Sequence, residues 1–390
     1  METLSVLHVA QPLTAGVPRI AGDLVRDQRA RGWRVGFACP EPSELREVGS
    51  EAGATYLRWE ATRSPSPLTA GETARLNRLI GDFDPDLVHL HSAKAGLAGR
   101  LALRGRIPTV FQPHAWSFEA VGGALRAAAI RWERLATRWT DTIICVSNDE
   151  RRCGVERGIR AHWTEIPNGV DVGANAAASA EDRERARSEL GLDGAPLVVA
   201  AGRLCEQKGQ DILLRAWPQV TAALPEARLA LVGDGPWRTQ LETSAPSGVL
   251  FAGYSTAVPA WLAAADVVAL PSRWEGLSLV LLEAMAAGRS VVASDAGGMR
   301  QTLTPECGAI VPAGDDAGLA AALRARLLDP GLAADEGAAA RRRVERLHDL
   351  RDVAAQVARA YRDVLERRRL PAAIDVRPLR AGEHATTDQV

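Results

Sequence analysis

Two successive series of short apolar runs constrain this 390-residue chain more than any other feature. The first is SVLHVA (5–10), RVGFACP (34–40), ATYLRW (54–59), LVHLHS (87–92), TVFQPH (109–114), TIICVS (142–147) and TEIPNG (164–169). The second is LVVAAG (197–202), RLALVGDG (228–235), VLFAGY (249–254), DVVALPS (266–272), SVVASD (290–295) and AIVPAG (309–314). Helix-length stretches separate the runs. Continuous Val/Ile/Leu runs without polar alternation are buried on both faces, which means parallel strands covered by helices on either side. Each series therefore predicts one Rossmann-like, doubly wound α/β domain. Strand signals vanish between Val172 and Gly194, so the boundaries fall at 1–172 and 190–348. The polar, aperiodic stretch 371–390 reads as a disordered tail. Ligands of such sheets bind beyond the carboxyl ends of the strands, which puts the expected site in a cleft where the two domains face each other.

Composition excludes several classes. With 46% hydrophobic and 24% charged residues the chain is globular, and its net charge of −1 makes no global case for nucleic acid. Five scattered cysteines without CxxC spacing fit reduced cytosolic thiols and argue against a disulfide framework or a zinc cluster. METLSVLHVA enters a strand at once, without the basic start of a signal peptide. No apolar run reaches the roughly 18 residues of a membrane span. The expectation is a cytoplasmic protein, at most peripheral at the inner face of a membrane.

Glu275 and Glu283 stand eight positions apart in RWEGLSLVLLEAMAAG. The first follows a strand; the second lies in an apolar helix expected to begin near Leu277. The N–H groups of Leu277, Ser278 and Leu279, at the expected helix start, make an anion site between the two carboxylates. A phosphate flanked by hydroxyl-binding carboxylates suits a nucleotide-sugar. Glu283 has apolar neighbours on both sides, so it needs a polar partner once buried. In AGRLCEQKGQDILLRAW, Arg203 and Lys208 sit between a strand and a helix, where two cations suit a pyrophosphate. LVGDGPWR brings Gly233 and Gly235 to a strand end, either for close backbone approach to a nucleotide or as a tight turn.

These elements together resemble the retaining glycosyltransferases of family 4 (group 1): the E-x7-E pair, the G-R-x4-KG string, and IPNGVD near the domain junction. The resemblance implies the GT-B fold, two Rossmann-like domains across a deep cleft, with a last helix at about 349–367 that packs back on the first domain. It implies that Glu275 contacts the transferred sugar, that Glu283 grips the ribose, and that Tyr254, in FAGY, lies where the base is met. Gly16, in the loop after the first strand, matches a glycine that touches the donor pyrophosphate, with Ala15 in place of the family's usual second glycine. His114 matches the active-site histidine, and Asn168 is either a hinge residue or a site residue. The chain departs from the family at DAGGMRQ, where Gln301 replaces an expected Glu, so Gln301 is left out of the site. His114, Glu275, Arg203 and Lys208 are the expected catalytic set.

His89 and His91 alternate on one strand face, but no third ligand is evident nearby, so no metal is expected. Asp84-Pro85-Asp86 spells a DxD that precedes a strand instead of following one, and reads as a turn. No cofactor is expected beyond the nucleotide-sugar substrate. Residues 90–160 carry twelve cations against six anions. Within them LRAAAIRWERLATRWT sets Trp132, Leu135, Ala136 and Trp139 beside Arg131, Arg134 and Arg138. That helix suits either an anionic membrane surface or a core stripe with a basic edge. The expected acceptor is a lipid-linked saccharide; a soluble small-molecule acceptor, a nucleotide-sugar 2-epimerase and a noncatalytic binding protein are the competing readings.

Overall fold

A computed structural model describes residues 3–14 and 16–370. The expected tail 371–390 and Ala15 lie outside the described residues. The first sheet contains β1 (Ser5–Ala10), β2 (Arg34–Cys39), β3 (Thr55–Arg58), β4 (Leu87–His91), β5 (Thr109–Gln112), β6 (Thr142–Cys145) and β7 (Trp163–Glu165), in the order β3-β2-β1-β4-β5-β6-β7. The second contains β8 (Leu197–Ala201), β9 (Arg228–Val232), β10 (Val249–Gly253), β11 (Val267–Leu270), β12 (Ser290–Ser294) and β13 (Gly308–Val311), in the order β10-β9-β8-β11-β12-β13. Every strand pairing within the two sheets is parallel. In each sheet the strand order reverses beside the first strand, at β1/β4 and at β8/β11, and this opens the crevice in which doubly wound sheets bind ligands.

β4, β5, β6, β8, β11 and β12 are buried along their whole length, as parallel strands covered on both faces must be. The expected strand at TEIPNG stops at Glu165, because Pro167 has no N–H to extend the ladder and the chain there turns toward the second domain. The stretch 172–194 carries no strand but holds the helix Ala180–Glu189, opened by a reciprocal Ser179/Asp182 cap. Asp84 and Asp86 make a turn: Asp84 ends a helix in a left-handed conformation, and the Asp86 carboxylate accepts from the Ser5 N–H at 2.7 Å.

The closing helix, Leu350–Arg369, lies on the first domain. Its Val353, Val357, Tyr361 and Val364 join a core cluster with Val6, Leu24, Val35 and Leu87. Where the chain crosses back, Val170 N–H donates to His348 O at 2.9 Å and Leu350 N–H donates to Val170 O at 3.1 Å. The two interdomain crossings are thus bonded side by side.

The basic helix is Gly123–Ala136. As the core-stripe alternative expects, Trp132 and Trp139 are half-buried and lie against each other, with ring centroids 6.2 Å apart. The Arg100 guanidinium lies over Trp132 and also pairs with Glu133, both charges buried. That ion pair pulls the tryptophan side inward. Val121, Leu125 and Leu135 are the exposed apolar residues here, beside exposed Arg131, Arg134 and Arg138.

Val357→Asp should place a carboxylate in the first-domain core and cost about 3 kcal/mol or more. The check is thermal unfolding, and an unchanged midpoint would show that the closing helix does not depend on its docked face.

Candidate active site

The expected site residues follow carboxyl ends of strands: Arg203 and Lys208 follow β8 and Glu275 follows β11, the strands of the second reversal point, while His114 follows β5. Lys208 follows β8 on a 3-10 turn, Glu206–Lys208, that ends at Gly209 (φ 66°). A Cβ on Gly209 would meet Pro271 O at 2.0 Å, so the Lys-Gly string is required by the approach of the chain leaving β11. This brings Lys208 Nζ into contact with Glu275 Oε1, which also accepts from the Ser272 hydroxyl at 2.9 Å. Arg203 is exposed and makes no ion pair among the described residues. Arg63 of the first domain has its pKa lowered by burial and, after that, by the charge of Arg203.

The helix that carries Glu283 starts later than the sequence suggests. It spans Leu279–Ala286, because the Ser278 hydroxyl accepts from Leu281 N–H at 3.4 Å and makes Ser278 the cap. Leu277 belongs to the preceding loop, where its carbonyl accepts from Asn168 Nδ2 at 2.8 Å. The helix-start amides are therefore those of Leu279 and Val280, not of Leu277. Glu283 lies in the second helical turn, and only 3% of it is exposed. Its Oε1 contacts Arg19 from the opposite domain, and its Oε2 is buried without a partner. Arg19 sits in the first turns of the helix Gly16–Ala30, where a Cβ on Gly16 would lie 3.7 Å from the Leu279 side chain. No motif flagged Arg19, although it stands three residues after Gly16.

Gly233 and Gly235 have a packing reason to be glycine. A Cβ on the first would lie 2.1 Å from Gly202 O, and one on the second 2.3 Å from Leu204 O. The backbone that approaches these two positions is that of the turn after β8. Tyr254 follows β10 and is 66% exposed.

His114, after β5, has φ 60°, and Ala115 has φ 122°. Two consecutive non-glycine residues in that region are strained and need outside support. Glu150, in the helix Asn148–Glu156, supplies it: its carboxylate accepts from Ala115 N–H and from Val146 N–H, both at 2.8 Å. Burial pushes the Glu150 pKa up to about 7 despite those two bonds. Burial likewise drives His114 down to about 3, so its imidazole is neutral at working pH. Glu150 escaped sequence reasoning because its role is to hold a turn 35 residues away. Against the strained turn lies Gly276, where a Cβ would come within 3.0 Å of His114 C and O.

Asn168 spans the domains through Leu277, while its own carbonyl bonds His348 Nδ1 at 3.0 Å. Gln301 also bridges them: its Oε1 accepts from Asn148 N–H at 2.9 Å and its Nε2 donates to Glu165 at 2.8 Å. The expectation that His89 and His91 lack a third partner is overturned, since strand pairing sets His8 of β1 beside His89. Each of the three offers a nitrogen within 4.8 Å of the others.

Glu150 titrates upward of its unfolded value, so the folded chain holds a proton that the unfolded chain has lost. Its ionisation therefore costs stability as pH rises from about 4.5 to about 7. Relative to Glu150→Gln, wild type should lose about 3 kcal/mol across that window. A stability difference flat in pH, measured by denaturant unfolding, would contradict this environment for Glu150.

Residues 14–174 match the family described as Glycosyltransferase Family 4, and residues 195–329 match Glycosyl transferases group 1. The chain is 30% identical over 362 residues to a GDP-mannose-dependent monoacylated alpha-(1-6)-phosphatidylinositol monomannoside mannosyltransferase of Corynebacterium glutamicum, covering 88% of this chain and 93% of that protein. It is 34% identical over 317 residues to a GDP-mannose-dependent alpha-(1-6)-phosphatidylinositol monomannoside mannosyltransferase of Mycolicibacterium smegmatis, covering 76% and 81%. Anabaena HepE in complex with UDP-glucose superposes with a TM-score of 0.82 at 23% identity, over 92% of this chain and all 100% of that one, which shows the fold. Among the described residues no helix is long and apolar enough to cross a membrane. With two facing doubly wound domains and relatives matched over nearly their whole length, the chain belongs to glycosyltransferase family 4 and has the GT-B fold.

Proposed function

We propose that the chain transfers a hexose with retention of configuration from a nucleotide diphosphate sugar, without a metal, to a hydroxyl of a lipid-linked acceptor. Mannose from GDP-mannose is the donor to test first, because the relatives at 30% and 34% identity are GDP-mannose-dependent mannosyltransferases. One observation carries the reading. Arg203, Lys208, Glu275 and Glu283 follow β8 and β11, beside the crevice of the second sheet.

Departure of the nucleotide diphosphate develops negative charge on its phosphates. Arg203, Lys208 and the amides of Leu279 and Val280 supply preorganised positive charge there, so the protein itself can stabilise the leaving group. Glu283 Oε2, buried and unpartnered, suits the paired hydroxyls of a ribose. Glu275, held by Lys208 and Ser272, is positioned to accept from hydroxyls of the transferred sugar. Retention then follows from attack by the acceptor on the face the leaving group departs from, since no carboxylate is assigned as a covalent nucleophile. Nucleotide release with a panel of donors tests the activity. Absence of both turnover and nucleotide binding for every donor would overturn it.

The cations and Glu283 should separate by role. Lys208→Ala should depress kcat about a hundredfold, because it removes charge from the leaving pyrophosphate. Glu283→Ala should act mainly on donor KM, because the ribose contact is made in ground and transition states alike. Matching effects on KM alone would contradict the leaving-group role of Lys208.

A lipid acceptor requires a membrane surface. Exposed Val121 before the basic helix, Leu125 and Leu135 on it, and Arg131, Arg134 and, on the 3-10 turn that follows, Arg138 supply apolar anchors and positive charge. Near anionic lipid three arginines contribute about 3 kcal/mol together. Their replacement by Gln should weaken co-sedimentation with anionic vesicles roughly a hundredfold, and salt should do the same to wild type. Indifference to lipid charge would favour a soluble acceptor.

A further inference from the structure

Beneath the first helix and the closing helix, the cleft connects to a line of buried side chains that the transfer chemistry above does not use. His8, His89, His91 and Gln28 are at most 1% exposed. Gln28 Oε1 lies 2.9 Å from His8 Nε2. His8 Nδ1 lies 3.0 Å from His91 Nε2. His91 Nδ1 lies 3.1 Å from His114 Nε2. The rings of His8 and His91, and those of His91 and His114, stack with centroids 5.3 Å apart, so the chain of bonds passes ring to ring into the active site. At a side branch, the Tyr361 hydroxyl lies 2.6 Å from His89 Nδ1.

A neutral imidazole carries one N–H and one bare nitrogen, so each bond in such a line dictates the next. Gln28 is the terminal member and cannot switch roles at a given atom: its carbonyl oxygen only accepts. Burial holds His8 at about 4 and His89 and His91 well below their usual range, so none of these rings takes a second proton at working pH and breaks the order. Burial raises the Tyr361 pKa, and the Gln28 side chain opposes that shift by bonding the phenol oxygen, which fits the Gln28 amide N–H pointing to Tyr361 and its carbonyl to His8. His8 then carries its proton on Nε2 and accepts at Nδ1 from His91 Nε2–H. His91 in turn accepts at Nδ1 from His114 Nε2–H. The His114 Nδ1 is left bare, and that atom is buried without a partner.

We propose that Gln28 is a positioning residue for the transfer reaction: through His8 and His91 it fixes the Nε2–H tautomer of His114 and leaves His114 Nδ1 as a hydrogen-bond acceptor at the cleft. The consequence for catalysis rests on the reading of His114 as an active-site residue; the tautomer itself does not. A metal at His8, His89 and His91 is the competing use of the same side chains. It would have to break at least one bond of the line, since both nitrogens of His8 and both of His91 are engaged and among these three rings only His89 Nε2 has no hydrogen-bond partner.

Long-range ¹H–¹⁵N spectra of the ¹⁵N-labelled full chain at neutral pH read the tautomers directly. Wild type should show His8, His91 and His114 each protonated at Nε2. Gln28→Met, similar in volume but without an acceptor, should populate the Nδ1–H form of His114. Gln28→Glu, which keeps an oxygen facing His8, should retain the wild-type form. With a working donor, Gln28→Met should lower kcat at least about tenfold while nucleotide affinity stays put, since the altered atom touches no nucleotide. An Nδ1–H or mixed His114 in wild type overturns the proposal, as does a His114 tautomer that survives Gln28→Met. If Gln28→Met does not fold, the wild-type and Gln28→Glu spectra decide alone. Stoichiometric zinc in the purified protein, with the three imidazoles shifted by its removal, would replace the relay with a metal site. A shifted tautomer with unchanged kcat would remove its catalytic role. Absence of turnover with every donor would bear on the transfer reading alone, because the spectra do not depend on activity.

Discussion

The contact between Gly276 and the His114–Ala115 turn sets the geometry of everything around it. Here two backbones from different domains meet so closely that a Cβ on Gly276 would lie 3.0 Å from His114 C and O. The loop 275–278 is clamped from three directions. From its own domain, Gly298 N–H donates to Gly276 O at 2.7 Å, while Gly297 (φ 54°) leaves space for the Glu275 carbonyl, which a Cβ would meet at 2.0 Å. Asn168 holds the loop at Leu277, and the strained turn of the first domain presses on Gly276. Glu275 is therefore aimed by backbone packing, which tolerates far less drift than a side-chain contact.

Charge arrangement follows from that clamp. Lys208 and Glu275 come from opposite sides of the crevice at β8/β11 and neutralise each other, while Arg203 has no anionic partner among the described residues. Across the domains, Arg19 satisfies one oxygen of Glu283 and the other stays unpartnered. An anionic ligand carrying hydroxyl donors complements both deficits at once.

What could be read in advance separates by the range of the interaction. Periodicity and strand composition are local, and they were enough to assign two parallel sheets in the right parts of the chain. Glu275, Glu283, Arg203 and Lys208 stood out because their neighbours along the chain form strand-turn-helix signals, and of the four the fold brings Lys208 and Glu275 into contact. Helix registration was less secure: Leu277 looks like a helix start, yet the Ser278 cap begins the helix two residues later. Gly233 and Gly235 suggested either ligand approach or a tight turn, and the contact that requires glycine there, with the turn after β8, is also distant from what spacing can show. Arg19, Glu150, His8 and Gln28 act on partners distant in sequence, and no spacing rule reveals such a pairing. The tryptophans of the basic helix left two readings open for the same reason, since the contact that turns Trp132 inward is with Arg100, 32 positions before it.

The paired crossings at Val170 and His348–Leu350 have a mechanical consequence. A single connecting strand is a swivel: the halves it joins can swing, twist and slide almost independently. Two strands bonded to one another behave as a strap with width, which resists twist and shear and leaves rotation about one line as the soft coordinate. On such a strap, Arg19 with Glu283 and His114 with Gly276 part together or stay together.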